Sequence, residues 1–300
     1  MKNILVGGYT INVSSKENSI MIRNVVGLGS AGCNLADEFA KTSSSYKCYK
    51  LDVGLQKSGK CFPLKEYETP EEYEANPPKL RTFFKNISGD VLFCVGGSGD
   101  VSNATLVILE QLQHCKISVL YVKPDLSFLG SREQLQENMV FGVMQELARS
   151  GVFERLYIIS NPHVEEALGG VPMIGYFEKI NEVIVSTFHM INTLRQMKPV
   201  AAMESAPPLG ARISTFGFVD LEKNVDRMFF PLDMVSDMVY FYAYNQEILE
   251  SKKNLLTEVK EAIKNRVGDE KKRVTFNVYA TNYEQNFVYF LGHTSIVQTN

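Results

Sequence analysis

The sequence predicts an α/β protein, with a three-layer domain on a parallel sheet joined by a long central helix to a smaller α+β domain. Three observations favour this class. Short apolar, β-branched-rich segments alternate with helical stretches over the first half of the chain, as expected for parallel strands covered on both faces. A stretch around residue 180 repeats apolar residues every three or four positions, which indicates a helix with a buried face. The last third contains strand-like segments around one charged helix, which is typical of an α+β unit.

The first domain is built from strands and helices that alternate along the chain. The predicted strands cover 22–26, 48–53, 91–95, 117–122 and 156–160, and the predicted helices cover 32–41, 101–114 and 131–151. Residues 1–20 hold a short apolar run and a polar stretch, which we interpret as a small hairpin or arm. Residues 57–88 are rich in Lys, Glu, Tyr and Pro, and they predict a surface excursion with one short helix.

The central helix is predicted over about 174–197, and Pro199 marks its end. Its apolar stripe consists of Phe177, Ile180, Ile184, Phe188, Ile191 and Leu194. The smaller domain is predicted from strands at 211–220 and 238–245, a helix at 251–266, and a hairpin of 273–281 with 286–292. We therefore expect domains at 1–173 and 205–300, linked by a helix at 174–198.

Composition narrows the class of protein. The chain has 31 Lys and Arg against 34 Asp and Glu, and this net charge of −3 gives no reason to expect a nucleic-acid partner. Its 5 cysteines are odd in number and form no C-x-x-C pair, which indicates reduced thiols and a cytoplasmic location. No apolar run approaches the roughly 18 residues of a membrane segment. The 4 histidines show no ligand spacing, so no protein metal site is predicted.

The first glycine loop follows the strand that ends at Val26. Gly27, Gly29 and Gly32 lie at the junction of this strand with a helix, where backbone N–H groups can approach a phosphate. Asp52 lies about 20 residues further on, at the end of the second strand, as in a dinucleotide-binding unit. By itself this stretch fits an NAD(P)-dependent oxidoreductase that uses Asp52 on the ribose, or an ordinary strand–turn–helix corner.

A second glycine loop changes this interpretation. Gly96, Gly97, Ser98 and Gly99 follow the apolar strand 91–95 directly, and a helical stretch comes next. The carboxyl ends of parallel strands lie at one edge of a sheet, so both loops offer N–H groups to the same crevice. Two such corners suit a compact run of phosphates, whereas an oxidoreductase does not need the second.

With both loops considered, the sequence resembles the tubulin/FtsZ family of GTP-binding filament proteins. Residues 27–34 look like the family's first phosphate loop, 51–56 like its second, and 96–99 like the start of its glycine signature. The phosphate-binding residues implied by this resemblance are Gly27, Gly29, Ser30, Ala31, Gly32, Asn34, Asp52, Gly96, Gly97, Ser98, Gly99 and Asp100. Asp52 would lie near a metal ion and the phosphates.

Later segments are similar to the family's nucleoside-binding elements. Residues 124–132 resemble the segment at the ribose, which makes Arg132 a candidate contact. Asn161, directly after the strand 156–160, falls where the family places an asparagine against guanine. Phe177 and Asn181 match the start of the central helix, where a phenylalanine stacks on the base and an asparagine reads its edge. From the residues alone, Phe177 is at least as well interpreted as a core aromatic and Asn181 as a solvated helix residue.

The sequence departs from the family pattern at three places. Asp100 and Val101 replace a small residue and a glycine, and Val101 disfavours a left-handed backbone. Leu129 stands where an acid would bind ribose. The loop 198–210 contains one acid, Glu204, although the family places there the acids that orient the attacking water in the neighbouring subunit. Asp220, Glu222 and Asp226 follow and are interpreted as solvated surface acids.

The resemblance implies a protein that binds GTP or GDP, with Mg²⁺ possible beside the phosphates, and associates with itself head to tail into filaments. Because the acidic loop is missing, we expect slow or absent GTP hydrolysis. Two alternatives stay open at this point. One is the NAD(P)-binding oxidoreductase, and the other is an interaction protein that kept the fold and lost its nucleotide.

Overall fold

The computed structural model describes residues 2–6, 9–13, 21–203, 210–267 and 272–299. These residues form two compact units, which are Ile22–Ser186 and a second unit made of Met1–Met21 with Thr187–Asn300. The boundary between the units lies within the central helix. The N-terminal strands β1 (Lys2–Val6) and β2 (Tyr9–Val13) pair antiparallel as the predicted hairpin.

The unit Ile22–Ser186 contains six parallel strands. These are β3 (Asn24–Leu28), β4 (Lys47–Asp52), β5 (Cys61–Pro63), β6 (Asp90–Gly96), β7 (Lys116–Lys123) and β8 (Arg155–Ser160). Their order is β5-β4-β3-β6-β7-β8, and each neighbouring pair is parallel. The predicted parallel sheet is therefore confirmed, and β5 adds an edge strand within the segment that was expected to be a surface excursion.

Helices connect these strands. They are α1 (Gly29–Thr42), α2 (Pro70–Ala75), α3 (Arg81–Phe84), α4 (Thr105–Glu110), α5 (Ser131–Arg149), α6 (Asn161–Leu168) and α7 (Tyr176–Leu194). The helix predicted over 101–114 is shorter than expected. Its first part is a 3₁₀ turn at Asp100–Ala104, and α4 ends at Glu110. Residues 57–88 carry two short helices rather than one.

The central helix α7 has the buried stripe that its periodicity predicts, except at its start. Ile180 and Ile184 are 0% exposed, and Phe188 and Leu194 are also buried. Phe177, by contrast, is 61% exposed. The interpretation of Phe177 as a core aromatic is therefore wrong, because the first turn of α7 leaves its ring uncovered.

The C-terminal part of the second unit is a mixed sheet with helices. Its elements are β9 (Ala201–Met203), β10 (Ile213–Asp220), β11 (Val225–Met228), β12 (Asp237–Asn245), α8 (Gln246–Ser251), α9 (Leu255–Val267), β13 (Arg273–Thr281) and β14 (Phe287–Thr294). The strand order is β11-β10-β14-β12-β13-β9. A buried cluster that includes Val259, Ile263 and Phe276 packs α9 on this sheet.

The predicted hairpin of 273–281 with 286–292 is wrong. β13 pairs parallel with β12 and antiparallel with β9, while β14 is inserted between β10 and β12. Because α8 and α9 connect β12 to β13, these two strands run in the same direction, as a crossover requires. Residues 282–286 then carry the chain past β12 to the far side.

Candidate nucleotide-binding site

The first glycine loop is a sharp junction between β3 and α1. β3 ends at Leu28, and α1 begins with the next residue, Gly29, whose φ is 67°. A Cβ atom at Gly27 would overlap the carbonyl oxygen of Gly32, and one at Gly32 would overlap the carbonyl oxygen of Cys94 on β6. Glycine is thus required at positions 27 and 32 by the close packing of α1 on the sheet.

The start of α1 presents backbone donors to the edge of the sheet. The N-cap position, Leu28, supplies no side-chain hydrogen bond to the helix, and Ser30 and Ala31 are exposed. The first N–H groups of a helix point along its axis and carry its positive dipole end. This arrangement suits an anion such as a phosphate.

Asp52 lies beside this helix start, at the end of β4. The Ser30 hydroxyl donates to Asp52 Oδ2 at 3.4 Å, and the N–H of Val53 donates to Asp52 Oδ1 at 2.8 Å. Cys33, one turn into α1, donates to the carbonyl oxygens of Gly27 and Leu51 at 3.6 and 3.7 Å. Burial, followed by the charge of Asp52, raises the pKa of the Cys33 thiol to about 12, so this cysteine is a packed thiol and not a nucleophile.

The second glycine loop follows β6. The N–H of Gly97 donates to the carbonyl oxygen of Val122 at 3.1 Å, which continues the ladder between β6 and β7. The Ser102 hydroxyl donates to the Gly96 carbonyl, and the Ser102 N–H donates to the Gly99 carbonyl at 2.8 Å. Both bonds tie Ser102 back to the glycine loop, and Ser98 and Gly99 within the loop are exposed.

The backbone at Val101 is not left-handed. The 3₁₀ turn begins at Asp100, and Val101 is 7% exposed with no left-handed backbone. This agrees with the residue type, since a β-branched side chain disfavours a left-handed backbone, and the chain turns into a helix at this point. The side chain of Asp100 lies outside the described part of the structure.

Both loops line one cavity of about 460 Å³. Among the predicted site residues, the cavity is lined by Gly29, Ser30, Ala31, Asp52, Gly96, Ser98 and Gly99. The lining is completed by Leu28, Val53, Val101, Ser102 and Glu66. The first four lie in or beside the predicted loops, whereas Glu66 lies in neither. Glu66 lies in the segment interpreted as a surface excursion, and nothing in its sequence context marks it as a site residue.

Four predicted phosphate-loop residues do not line this cavity in the described structure. Gly27 and Gly32 form the packed junction behind it, and Gly97 faces the hydroxyl of Tyr121, so a Cβ atom there would overlap that oxygen. Asn34 is exposed on α1. The glycine pattern therefore combines residues that face the cavity with residues that only hold its walls.

Arg132 lies in the first turn of α5. Its guanidinium is 3.8 Å from the carboxylate of Glu68, and the two side chains are 71% and 84% exposed. A pair this exposed contributes little to stability, so Arg132 remains available to a ligand. Leu129 is the C-cap of the 3₁₀ turn Leu126–Phe128, with no acid in its place.

The candidate base-binding residues lie on α6 and α7. Asn161 is the first residue of α6, and its side-chain Oδ1 is buried with no hydrogen-bond donor in the described structure. Tyr176 donates to Glu165 at 2.9 Å and so ties the start of α7 to α6, and burial and this bond raise the pKa of Tyr176 to about 12. The Phe177 ring lies edge-on to Tyr176 with centroids 5.2 Å apart. Asn181, one turn further on, is half-buried.

The segment after α7, where the family places its catalytic loop, is described only in part. Residues 204–209, which include Glu204, lie outside the described part of the structure. Asp226 accepts hydrogen bonds from the Nε of Arg266 at 3.0 Å and from the Tyr240 hydroxyl. The interpretation of Asp226 as a solvated acid is therefore wrong, because it anchors β11 to α9.

Among the described residues, no group of three or more His, Cys, Asp or Glu side chains is placed to hold a metal ion. In the same described ranges, no helix has both the length and the apolar character needed to cross a bilayer.

Comparisons of sequence give no relatives, since no family model and no curated protein matches this chain. Solved structures do match. A GTPγS-form protofilament of TubZ from Bacillus thuringiensis serovar israelensis aligns with a TM-score of 0.67 and 15% identity over 94% of this chain and 88% of that one. GDP-bound CetZ1 from Haloferax volcanii aligns with a TM-score of 0.66 and 16% identity over 92% of this chain and 94% of that one. An empty FtsZ dimer from M. jannaschii aligns with a TM-score of 0.64 and 13% identity over 91% of this chain and 88% of that one. The chain therefore has the tubulin/FtsZ-superfamily fold.

Proposed function

We propose that this protein binds GTP and GDP, with the phosphates between the two glycine loops, and that it associates with itself into filaments. One observation carries the proposal. The start of α1 and the loop Gly96–Gly99 open into a single cavity, although they are separated by more than sixty residues of sequence. Structures with this fold are described as GTPγS-form and GDP-form protofilaments of TubZ and as a GDP-bound CetZ1.

The donor set of the cavity fits phosphates together with a cation. Uncapped N–H groups at Gly29–Ala31 and the exposed loop Ser98–Gly99 offer donors, whereas Asp52 and Glu66 add two carboxylates to the lining of the cavity. Phosphates next to carboxylates need a cation between them. We infer that Mg²⁺ would bind with the nucleotide, since it prefers one or two carboxylates plus phosphate oxygens.

The nucleoside would bind where α6 and α7 begin. Asn161 has a buried acceptor that lacks a donor, and the N–H edge of guanine provides donors for such an oxygen. The exposed ring of Phe177 offers a stacking surface. Asn181 can supply both a donor and an acceptor to the base edge, and Arg132 lies in the first turn of α5 with its charge free for the ribose or phosphates.

Self-association is supported by exposed apolar side chains in the loop before α7. Met173 and Ile174 are 92% and 95% exposed, and apolar side chains uncovered to this degree mark interaction surfaces when they occur together. We propose a head-to-tail contact, because such heterologous contacts give open filaments. The sequence of 198–210, with Glu204 as its one acid, supports slow or absent hydrolysis.

Calorimetry with purified protein tests nucleotide binding. GTP and GDP should bind with Mg²⁺ present, and NAD should not. Asn181→Leu should weaken GTP binding, whereas Asn265→Leu, an exposed helical asparagine of the other unit, should leave it unchanged. Binding of NAD without guanine nucleotides would overturn the proposal and favour the oxidoreductase, and no binding at all would favour the interaction protein.

Assembly and hydrolysis are tested in the same preparation. Light scattering should rise on addition of GTP and Mg²⁺, and phosphate release should stay near the rate of the buffer control. A constant monomer signal at high protein concentration would overturn the filament proposal, and rapid phosphate release would overturn the proposed loss of hydrolysis.

A further inference from the structure

A buried charged network lies directly behind the second glycine loop. Glu137 on α5 is 0% exposed, and its Oε1 accepts hydrogen bonds from the Tyr121 hydroxyl at 3.1 Å and from the Lys123 ammonium at 3.0 Å. The Lys123 ammonium also lies 4.2 Å from the centroid of the Phe141 ring. A fully buried carboxylate needs such partners, because an unpaired charge in the interior is strongly unfavourable.

This network touches the loop at Gly97. A Cβ atom at Gly97 would overlap the Tyr121 hydroxyl and would lie 3.0 Å from Cγ of Glu137. Gly97 therefore rests on the tyrosine and the glutamate, and its N–H is held by Val122. Burial and the neighbouring Glu137 raise the pKa of Tyr121, which keeps the hydroxyl protonated as the donor.

Helix α5 holds the other end of the loop as well. Gln136, the residue before Glu137, donates to the side-chain oxygen of Asn103 in the 3₁₀ turn that closes the loop. Asn103 in turn donates to the carbonyl oxygen of Glu68 at 3.2 Å. One helix thus fixes both the entry and the exit of the segment whose middle, Ser98 and Gly99, lines the cavity.

We propose that Glu137 is a positioning residue for the second glycine loop, acting through Tyr121, Lys123 and Gly97 to hold the Ser98 and Gly99 N–H groups in place for phosphate. Glu137 does not face the cavity, so it acts through the loop and not on the ligand. This inference rests on the proposed function. It adds that affinity for phosphates depends on a buried ion pair outside the cavity.

The test compares ligands with and without phosphates on Glu137→Gln. This change keeps the size of the side chain and its bond from Tyr121, and it removes the negative charge that pairs with the Lys123 ammonium. Calorimetry should show GTP affinity lowered about tenfold, as expected when a charge-assisted hydrogen bond is lost. Guanosine, which has no phosphates, should bind as it does to the parent protein. Amide hydrogen exchange should be faster in residues 96–103 and unchanged at Asn161 and α7.

Two further variants separate positioning from general destabilisation. Asp237→Asn removes a carboxylate that is also 0% exposed and paired with an arginine, Arg273, in the other unit. It should lower the melting temperature without changing GTP affinity. Lys123→Met combined with Glu137→Gln removes both charges of this ion pair and should restore both loop protection and GTP affinity. If Glu137→Gln does not fold, Tyr121→Phe tests the link between Glu137 and Gly97, because it removes the hydroxyl that contacts both and keeps the ion pair.

The outcomes are distinguishable. If the parent protein binds no GTP, the proposed function fails. If the parent binds GTP and Glu137→Gln binds it equally well, or if GTP and guanosine affinity fall by the same factor, the positioning role of Glu137 is wrong while the proposed function stands.

Discussion

Replacement of Gly32 by alanine tests the packing of the first glycine loop independently of any ligand. The new methyl group would overlap the carbonyl oxygen of Cys94 and lie 3.0 Å from its carbonyl carbon, and it would also lie 3.2 Å from the carbonyl carbon of Gly27. All of these atoms belong to backbone in buried strands, so no flexible side chain can move aside. Forced overpacking of this kind costs about 3 kcal/mol, which is more than a hundredfold in the folding equilibrium constant.

Two alanine variants serve as matched controls. Gly29→Ala meets only the Cβ of Val101 at 3.9 Å, an ordinary contact, but it must adopt a φ of 67°; the expected loss is about 1–2 kcal/mol. Gly142 lies inside α5 with nothing within 4 Å of a Cβ atom. Gly142→Ala should therefore stabilise the protein by about 0.5–1 kcal/mol, because alanine loses less backbone entropy in a helix.

Urea unfolding followed by far-UV circular dichroism measures this ranking, since the chain has 14 tyrosines and no tryptophan for fluorescence. From the most to the least stable, the expected order is Gly142→Ala, the parent protein, Gly29→Ala and Gly32→Ala. If Gly32→Ala unfolds within about 0.5 kcal/mol of the parent, the range of a neutral surface change, then the close contact between α1 and β6 is wrong. The slope of the unfolding curve must stay constant for the comparison to hold.

Three further results are expected. Phe177→Ala should weaken GTP binding about tenfold, since loss of one base–aromatic stack costs roughly 1–3 kcal/mol, and unchanged affinity in calorimetry would show that the ring does not contact the base. Ile174→Ser should raise the protein concentration needed for GTP-dependent light scattering by about tenfold, from the apolar area lost, and should leave the melting temperature unchanged. Burial lowers the pKa of His189 to about 4, below its unfolded value, so the unfolded state binds the proton first; stability should fall by up to roughly 3 kcal/mol from pH 7 to pH 4. His189→Gln should flatten that dependence in urea titrations, and an unchanged slope would contradict it.

The parallel sheet could be predicted from the sequence because its strands are buried on both faces. Val25, Val26, Val91 and Leu92 are 0% exposed, so their segments consist of continuous apolar residues that stand out from the polar connections. Because the apolar signal fades where a strand leaves the buried part of the sheet, only the ends of these five strands were predicted wrongly, by one or two residues. Edge strand β5 lacks this signal, since its three residues are only half-buried.

Strand pairing in the other unit could not be predicted in the same way. A four-residue link between two strand-like segments normally indicates a hairpin. Instead, β14 pairs with β10 at six positions and with β12 at seven. These pairings involve partners more than forty positions away, and their register depends on side chains of both strands. A single sequence shows the short link and not the competing long-range partners.

The candidate site divides along similar lines. The glycine loops were identified because strand, glycine and helix signals coincide within a few residues. Glu66 was missed because it reaches the cavity from an irregular segment, and the exposure of Phe177 was misjudged because periodicity reports which residues share a helix face and not where its cover ends. Whether Glu66 lines the cavity and whether Phe177 is exposed both depend on the three-dimensional position of the residue, which its spacing along the chain does not reveal.

Not all predicted site residues are equal evidence for a nucleotide. Gly27 and Gly32 are required by backbone packing, so a descendant that had lost its ligand would keep them as long as it kept its fold. Gly99 differs, because a Cβ atom there would meet only the Ser102 hydroxyl oxygen at 3.6 Å and its φ of −87° suits any residue. Asn161 keeps a buried acceptor without a donor, and Phe177 keeps an exposed ring. Backbone packing does not require these features, whereas a bound guanine nucleotide would use each of them, so variants at Asn161 and Phe177 discriminate binding from an inherited fold better than any change at the packed glycines.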